Sequence, residues 1–198
     1  MTRLALRLSP AFLSVAVLLA TPAAATEVQL GVAEHDSSIL GLTGSSGKER
    51  SVALVGGVVS PKIEALDFVL APRAYVGGAV NLEGETSYGG AGLLWRQGVG
   101  DALYVQGQFG LVVHDGTLDI ERPQSPAEVP AFEARNSTEI EFGSRALFDI
   151  QIAGGVELTE SWGAELFWQH LSHGKILSSG PNEGLDSWGV RGVYRFGN

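Results

Sequence analysis

The sequence predicts an all-β protein, an eight-stranded antiparallel up-and-down transmembrane β-barrel that follows a cleaved signal peptide. Three observations carry this prediction. Apolar and polar residues alternate with period two over most of the chain, which contains 27 glycines and has no sustained helical periodicity after its start. Long polar connections alternate with tight turns. Most of the alternating segments have the roughly 9–11 residues that a strand needs to cross a bilayer obliquely.

The first 25 residues have the pattern of a secretory signal peptide. Arg3 and Arg7 give a positive start, residues 12–20 form an apolar run, and the small residues 23–25 form a cleavage site. We expect cleavage after residue 25, which leaves one domain, residues 26–198. A retained membrane anchor is the less favoured alternative, because the apolar run is too short to span a bilayer easily.

The charge of the chain excludes some partners. The 13 basic and 22 acidic side chains give a formal charge of −9, and removal of Arg3 and Arg7 makes it −11. Such a chain has no general affinity for nucleic acid or for an anionic lipid surface. Contact with lipid phosphates therefore requires a few local Lys or Arg residues, or divalent cations. There is no cysteine, and a closed barrel does not need disulfides even in an oxidising compartment.

Eight segments have strand-like alternation. The predicted strands are 27–36, 51–60, 68–82, 86–97, 101–113, 143–157, 161–172 and 185–196. The connections at 98–100 and 158–160 are tight, whereas 37–50, 114–142 and 173–184 are long and polar. Short periplasmic turns opposite longer external loops are typical of outer-membrane barrels. With a periplasmic N-terminus, all the long loops lie outside, all the tight turns lie inside, and both chain ends lie in the periplasm.

The alternation also predicts which side chains face lipid. In the fifth segment, Val105 and Phe109 alternate with Gln106 and Gln108, and we expect the apolar set to face the acyl chains. Barrels of this size have interiors filled by side chains, so a channel function is disfavoured. The polar residues expected to pair in the interior are Gln106, Gln108, Asp149, Glu165, Arg191 and Arg195.

The candidate chemistry lies at the external ends of the last two strands. His170 and Ser172 are two residues apart on a strand, so their side chains leave the same face about 7 Å apart at Cα. Asp186 lies on the same outward face of the next strand. Polar groups at lipid-facing positions are costly unless they bond to one another, and a Ser–His–acid relay would satisfy them. The structural alternative is a set of ordinary turn residues beside an interfacial histidine.

These residues resemble the lipid A 3-O-deacylase (PagL) family, whose pattern is His-x-Ser-Asn, a short loop, then Pro-Asn-x-Gly-(Ile/Leu)-(Glu/Asp)-Ser. This chain has His170-Leu171-Ser172-His173, then Pro181-Asn182-Glu183-Gly184-Leu185-Asp186-Ser187. The resemblance implies an outer-membrane eight-stranded barrel that hydrolyses the 3-O-linked acyl ester of lipid A. No cofactor is expected, and no metal either, because the sequence offers no third ligand beside His170 and His173. It implies His170 as base, Ser172 as nucleophile and Asp186 as the third member.

Three departures from the family pattern concern the same site. His173 stands where the family has asparagine, so the oxyanion candidates are the backbone N–H of His173 and the amide of Asn182. The loop that leads to Pro181 is slightly longer than the commonest form. The acid is Asp186 rather than glutamate, one methylene shorter, which requires slightly closer strands.

Lys175, in the loop after Ser172, is the main candidate for contact with a substrate phosphate. Arg122 and Arg135 are further candidates in the 114–142 segment, which is expected to be a mobile external loop, with a lid as the alternative. The predicted partner is lipid A or lipopolysaccharide in the outer leaflet, and a homodimer is compatible with the sequence. The alternative function is a non-enzymatic structural or adhesin barrel whose external loops bind a partner.

Overall fold

The computed structural model describes residues 26–38 and 47–196, and in it eight antiparallel strands close into a barrel. The strands are β1 (Glu27–His35), β2 (Ser51–Lys62), β3 (Arg73–Asn81), β4 (Tyr88–Val99), β5 (Leu103–His114), β6 (Ala146–Glu157), β7 (Trp162–Ser172) and β8 (Leu185–Arg195). Each strand pairs with its sequence neighbours, and β1 pairs with β8 to complete the ring. The predicted fold class is confirmed. The predicted signal peptide lies outside the described residues, as does the segment 39–46.

The connection between β2 and β3 corrects one prediction. A strand from residue 68 was expected, but a 3₁₀ helix, Glu64–Val69, extends into this position and β3 begins at Arg73. Leu70 and Ala71 follow the helix with φ of 68° and 42°, a left-handed conformation that a strand cannot contain. β3 therefore begins later in the sequence than predicted, at Arg73 rather than at residue 68.

The second correction concerns the segment between β5 and β6. It contains a helix, α1 (Val129–Asn136), that the sequence did not predict. The helix has eight residues, none of them buried, so it has no apolar face to produce a periodic signal. No helix within the described residues is long and apolar enough to cross a membrane.

The outward and inward faces of the strands have the predicted character. Val105 and Phe109 are 52% and 50% exposed, whereas Gln106 and Gln108 between them are buried. The same alternation holds along β6, where Ile150 and Ile152 are exposed and the intervening polar residues are buried. An apolar outer surface of this extent is stable in contact with lipid acyl chains rather than with water.

The interior contains an ion-pair network toward the end where β1 begins and β8 ends, which is the end predicted to be periplasmic. Glu27 accepts hydrogen bonds from Arg96 at 2.6 and 2.8 Å and from Arg73 at 3.2 Å. Glu165 accepts from Arg191 at 2.5 Å and from Arg96 at 2.9 Å. Both carboxylates are fully buried, so the arginines compensate charges that would otherwise be very unfavourable there. The other predicted interior residues also bond inside: Gln106 to Arg96, Gln108 to Asp149, and Arg195 to Glu157.

The opposite end of the barrel, predicted to be external, is closed by the segment between β5 and β6. Its residues Ile140 and Phe142 are fully buried in an apolar cluster with strand residues. The strand residues of that cluster are Ala53, Ala79, Tyr88, Val112, Leu147, Leu171 and Leu185. An interior cavity of about 30 Å³ lies deeper in the barrel, beside Tyr75 and Asp149. It has room for about one water molecule, which fits a filled barrel rather than a channel.

Replacement of Arg96 by methionine tests the interior network. The change leaves two buried carboxylates, Glu27 and Glu165, without part of their compensating charge, and we expect it to lower the free energy of unfolding by about 3–5 kcal/mol. Urea unfolding of the barrel in phospholipid vesicles measures the difference. Arg50→Met is the matched control, because the exposed Arg50–Glu34 pair should contribute less than about 1 kcal/mol. Equal losses in the two variants would contradict the role assigned to the network.

Candidate active site

The last hairpin brings the three predicted residues together. His170 and Ser172 lie at the external end of β7, and Asp186 lies directly opposite His170 in the register of β7 with β8. Residues opposite each other in an antiparallel pair project from the same face, with Cβ atoms about 4.5–5.5 Å apart. The shared face that strand parity predicts for these three side chains is therefore what the barrel provides.

Both ring nitrogens of His170 are engaged. Nδ1 lies 2.7 Å from Asp186 Oδ1, and Nε2 lies 3.0 Å from Ser172 Oγ. A carboxylate only accepts hydrogen bonds, so Nδ1 carries the proton and donates to Asp186. In the neutral imidazole, Nε2 is then the acceptor of the hydrogen bond that the Ser172 hydroxyl donates. This is the arrangement in which an imidazole can take a proton from a serine while an acid holds the ring.

The surroundings of His170 fix the plane of its ring. Trp168, two residues earlier on the same face, stacks with it at a centroid distance of 6.2 Å and an interplanar angle of 14°. Gly184 approaches the ring with φ of 73°, and a Cβ there would lie 3.1 Å from His170 Cε1. The glycine is thus required twice, for its left-handed backbone and for the close approach.

The position of Asp186 differs in one respect from the prediction. It has the parity of the lipid-facing residues of β8, but its side chain is only 2% exposed, compared with 14% for His170. The chain leaving β1 passes beside it, and the N–H of Ser37 donates to the carbonyl oxygen of Asp186 at 2.8 Å. The Asp186 side chain is therefore buried where the chain leaving β1 meets the start of β8, which strand parity alone could not predict.

Glu49 joins three external loops beside this site. Its carboxylate accepts the N–H groups of Thr86 and Ile140, each at 3.1 Å, and lies 3.5 Å from His35 Nε2. Burial opposes its ionisation, but the nearby His35 ring and the hydrogen bonds from Thr86 and Ile140 outweigh that effect and hold the pKa of Glu49 below its usual range. Its own N–H donates to Asp36 at 2.9 Å. The backbone N–H and the carboxylate of Glu49 together thus connect the loop bearing Ser37 to the closed mouth.

His173, the departure from the family pattern, is fully buried inside the β7–β8 loop. Its Nε2 bonds to the carbonyl oxygen of Pro181 at 2.8 Å, and its Nδ1 accepts the N–H of Lys175 at 3.1 Å. Nε2 therefore carries the ring proton. The side chain crosses the loop and holds its two ends together, so it does not replace the asparagine as a donor toward the nucleophile.

The two oxyanion candidates contact each other. The backbone N–H of His173 donates to Asn182 Oδ1 at 3.1 Å. Because an N–H can bond only to the oxygen of that amide, the contact fixes the orientation of Asn182 and leaves its Nδ2 group as the donor that points elsewhere. In this conformation the backbone N–H that the sequence singled out is used to position Asn182.

The cations expected near the substrate fall into two groups. Lys175 is exposed and follows directly after Gly174, both in the left-handed conformation. Arg122 and Arg135 instead bond to Glu141 and Glu139 of their own segment. Of the three, Lys175 is the one placed in the loop next to Ser172.

The 114–142 segment, expected as a mobile loop or a lid, is packed against the β7–β8 loop. The N–H of Glu141 donates to Glu183 Oε2 at 2.9 Å, and the N–H of Glu183 donates back to the carbonyl oxygen of Glu141. Lys48 adds a salt bridge to Glu183 at 2.6 Å. Gly143 allows Pro181 to approach so closely that a Cβ would lie 2.1 Å from its carbonyl oxygen. Two loops and the site therefore form one packed unit.

Three supporting residues were missed at the level of sequence. Glu183 occupies the variable position of the motif, so the motif itself assigned it no role. Ser37 and Glu49 lie far from the motif in sequence, and nothing in their local pattern marks them. Within the part of the chain that the structure describes, no group of three or more His, Cys, Asp or Glu residues is placed to hold a metal ion.

Comparison with known proteins places these features in a family context. The family model described as "Lipid A 3-O-deacylase (PagL)" matches residues 77–195, which include all of β4 to β8 and the residues His170, Ser172 and Asp186. Among solved structures, the chain is similar to the "Crystal structure of the outer membrane enzyme PagL", with a TM-score of 0.56 and 11% identity. That alignment covers 86% of this chain and 99% of the other.

A second solved structure resembles the chain more weakly. It is described as "De novo design of transmembrane beta-barrels" and aligns with a TM-score of 0.49 and 9% identity, over 87% of this chain and 96% of the other. No curated protein matches the chain.

The substitution His173→Ala tests whether this residue holds the loop together. It removes the partners of the Pro181 carbonyl and the Lys175 N–H, and each lost bond should cost about 1–3 kcal/mol of local stability. We expect amide hydrogen exchange in residues 173–184 to accelerate while exchange in β7 stays unchanged. Ile176→Ala, in the same loop but 78% exposed, is the control. Unaltered exchange in the His173 variant would rule out the bracing role.

Proposed function

Because this chain belongs to the lipid A 3-O-deacylase (PagL) family, we propose that it is an outer-membrane serine esterase that hydrolyses the 3-O-linked acyl chain of lipid A. The observation that carries the proposal is the double engagement of His170, by Asp186 on one ring nitrogen and by Ser172 on the other. These three residues would act as a catalytic triad.

In the first half of the reaction, Ser172 Oγ attacks the carbonyl carbon of the ester while His170 Nε2 takes the hydroxyl proton. The tetrahedral intermediate then collapses. The sugar oxygen leaves, receives the proton from His170, and departs as an alcohol, while the acyl chain stays bound to Ser172. In the second half, water attacks this acyl-enzyme with His170 again as base, which releases a free carboxylic acid and restores the serine.

Asp186 has two tasks in this scheme. It keeps the proton on Nδ1, so that Nε2 is always the basic nitrogen, and it stabilises the imidazolium that forms when His170 is protonated. The burial of its carboxylate strengthens both effects, because a charge shielded from water interacts more strongly with its neighbour. The Ser37 N–H on its backbone carbonyl helps to hold the residue at that position.

The oxyanion requires donors aimed at the developing negative charge, and such donors commonly account for several kcal/mol of catalysis. We assign this task to the Nδ2 group of Asn182, whose orientation is set by the bond from the His173 N–H. In this chain His173 is therefore a positioning residue: it holds the amide through its backbone and the loop through its ring.

The location of the site accounts for the substrate class. Ser172 and His170 lie on the outward face of the barrel at its external end, where the ester bonds of outer-leaflet lipids are found. The substrate therefore reaches the site from within the membrane. Its phosphates meet a protein of net negative charge, and the exposed Lys175 beside the nucleophile is the contact that we assign to them.

Ser172→Ala is the direct test of the proposed reaction. Removal of the nucleophile should reduce the rate of deacylation by at least about 1,000-fold, and the double variant with His170→Ala should be no worse, because the two groups act as a unit. Mass spectrometry of lipid A from outer membranes that contain each protein measures the loss of one 3-O-linked acyl chain. Ser179→Ala, an exposed serine of the same loop, is the control.

Two results would contradict the proposal. Unchanged lipid A with the correctly folded wild-type protein would favour a non-enzymatic barrel whose external loops bind a partner. Deacylation that persists in Ser172→Ala would support the family reaction but show that Ser172 is not the nucleophile.

The phosphate contact has a separate test in Lys175→Glu. Charge reversal at one exposed contact should raise KM for phosphorylated lipid A by about fivefold, or about 1 kcal/mol, with little change in kcat. The effect should disappear with dephosphorylated lipid A. Lys62→Glu makes the same charge change at the periplasmic end and is the control. Equal effects on both substrates would show that Lys175 does not contact phosphate.

A further inference from the structure

The 3₁₀ segment between β2 and β3 presents apolar side chains outside the barrel at its periplasmic end. Phe68 and Leu70 are 81% and 83% exposed, the highest values among the exposed large apolar side chains of the described residues. Val69 between them is 39% exposed. A group of this kind in contact with water is unfavourable and marks a contact surface.

The segment is attached to the lipid-facing side of the wall. Trp95 projects outward from β4, and its indole N–H donates to the carbonyl oxygen of Val69 at 2.8 Å. The segment thus lies over the outer surface rather than over the periplasmic opening. Its apolar side chains continue the apolar surface that the strands present to the membrane.

Several backbone N–H groups of the segment are hydrogen-bonded within it, which suits an environment with little water. Ile63 N–H bonds to the Pro72 carbonyl at 2.8 Å and closes its base. Within it, the N–H groups of Leu66, Leu70 and Ala71 all bond to carbonyl oxygens of the same segment. Satisfied backbone groups are what a non-strand segment needs at the edge of the hydrocarbon region. Its exposed charged residues, Glu64 and Asp67, precede Phe68 and can remain in water.

The opposite side of the barrel has an aromatic cluster at the same end. Trp162 of β7 packs against Tyr194 of β8 at 4.8 Å between ring centroids, and Tyr194 packs against Phe196 at 4.9 Å. Aromatic residues in such positions mark the boundary between membrane and water. In a ring of eight strands β3 lies across from β7, so the 3₁₀ segment and the aromatic cluster lie on opposite sides of the barrel at the same end.

We propose that residues 66–70, with Phe68 and Leu70 at their tip, form a wedge that inserts into the periplasmic leaflet and binds its phospholipids. Together with the aromatic cluster of β7 and β8, the wedge holds the barrel at a set depth on two opposite sides. This contact is independent of the esterase assignment.

Site-directed spin labelling tests the wedge directly, because the chain has no cysteine of its own. Single variants Phe68→Cys and Leu70→Cys are labelled in the full-length barrel, in vesicles of phosphatidylethanolamine and phosphatidylglycerol. Collision rates with oxygen and with a water-soluble nickel chelate report the depth of each label. Leu54→Cys in the lipid-facing surface of β2 and Asp101→Cys in the β4–β5 turn give the two reference values. For each variant, an unheated sample that migrates faster in electrophoresis than a heated sample confirms that the barrel is folded before heating.

The expected result is a ratio of oxygen to nickel collisions for Phe68 and Leu70 that lies close to the Leu54 reference. A ratio equal to that of Asp101 would place the segment in water and overturn the proposal. Labels that neither reagent reaches would overturn it as well, because they would show that a protein surface, such as a second copy of the chain, covers the segment.

Discussion

The pairing of β1 with β8 is the constraint on which the rest of the molecule depends. Hydrocarbon offers no hydrogen bonds, so every backbone group of a membrane sheet must find a partner within the sheet, and only closure achieves this. The closing seam runs along residues 27–34 of β1 and 188–195 of β8. Beyond its external end the chain continues from β1 to Ser37, which bonds to the backbone of Asp186. The candidate site therefore stands at the place where the first strand meets the last, and its geometry relies on the closed ring.

Much of the fold could be predicted from the sequence, because alternation with period two reports directly on a wall with lipid on one side and packed polar groups on the other. All eight strands follow from that signal, and so does the pairing of Glu165 with arginine inside the barrel. The pattern gave no warning of the 3₁₀ helix or of α1. Both are short and have no buried residues, so neither produces a periodic apolar signal in the sequence.

The candidate site, too, could be predicted only in part from the sequence. Strand parity alone brings His170, Ser172 and Asp186 to one face, since two of them share a strand and the third lies opposite. The burial of Asp186 and the contacts that Glu49 makes with three loops depend on segments distant in sequence, so no local pattern could reveal them. His173 is the instructive case. By comparison with the family motif, His173 replaces a side-chain donor. In the folded loop its ring instead forms hydrogen bonds with Pro181 and Lys175 and links them.

The outward direction of Ser172 has a consequence for how an esterase built on this barrel would behave. A site that opens sideways into the bilayer encounters its substrate by lateral diffusion in two dimensions, while the packed external loops close the route through the barrel. Its rate would follow the mole fraction of substrate in the surrounding leaflet, the surface dilution familiar from lipolytic enzymes, and not the bulk concentration of lipid. Neighbouring lipids that do not react would then act as diluents, so the composition of the membrane itself would set the pace of the reaction.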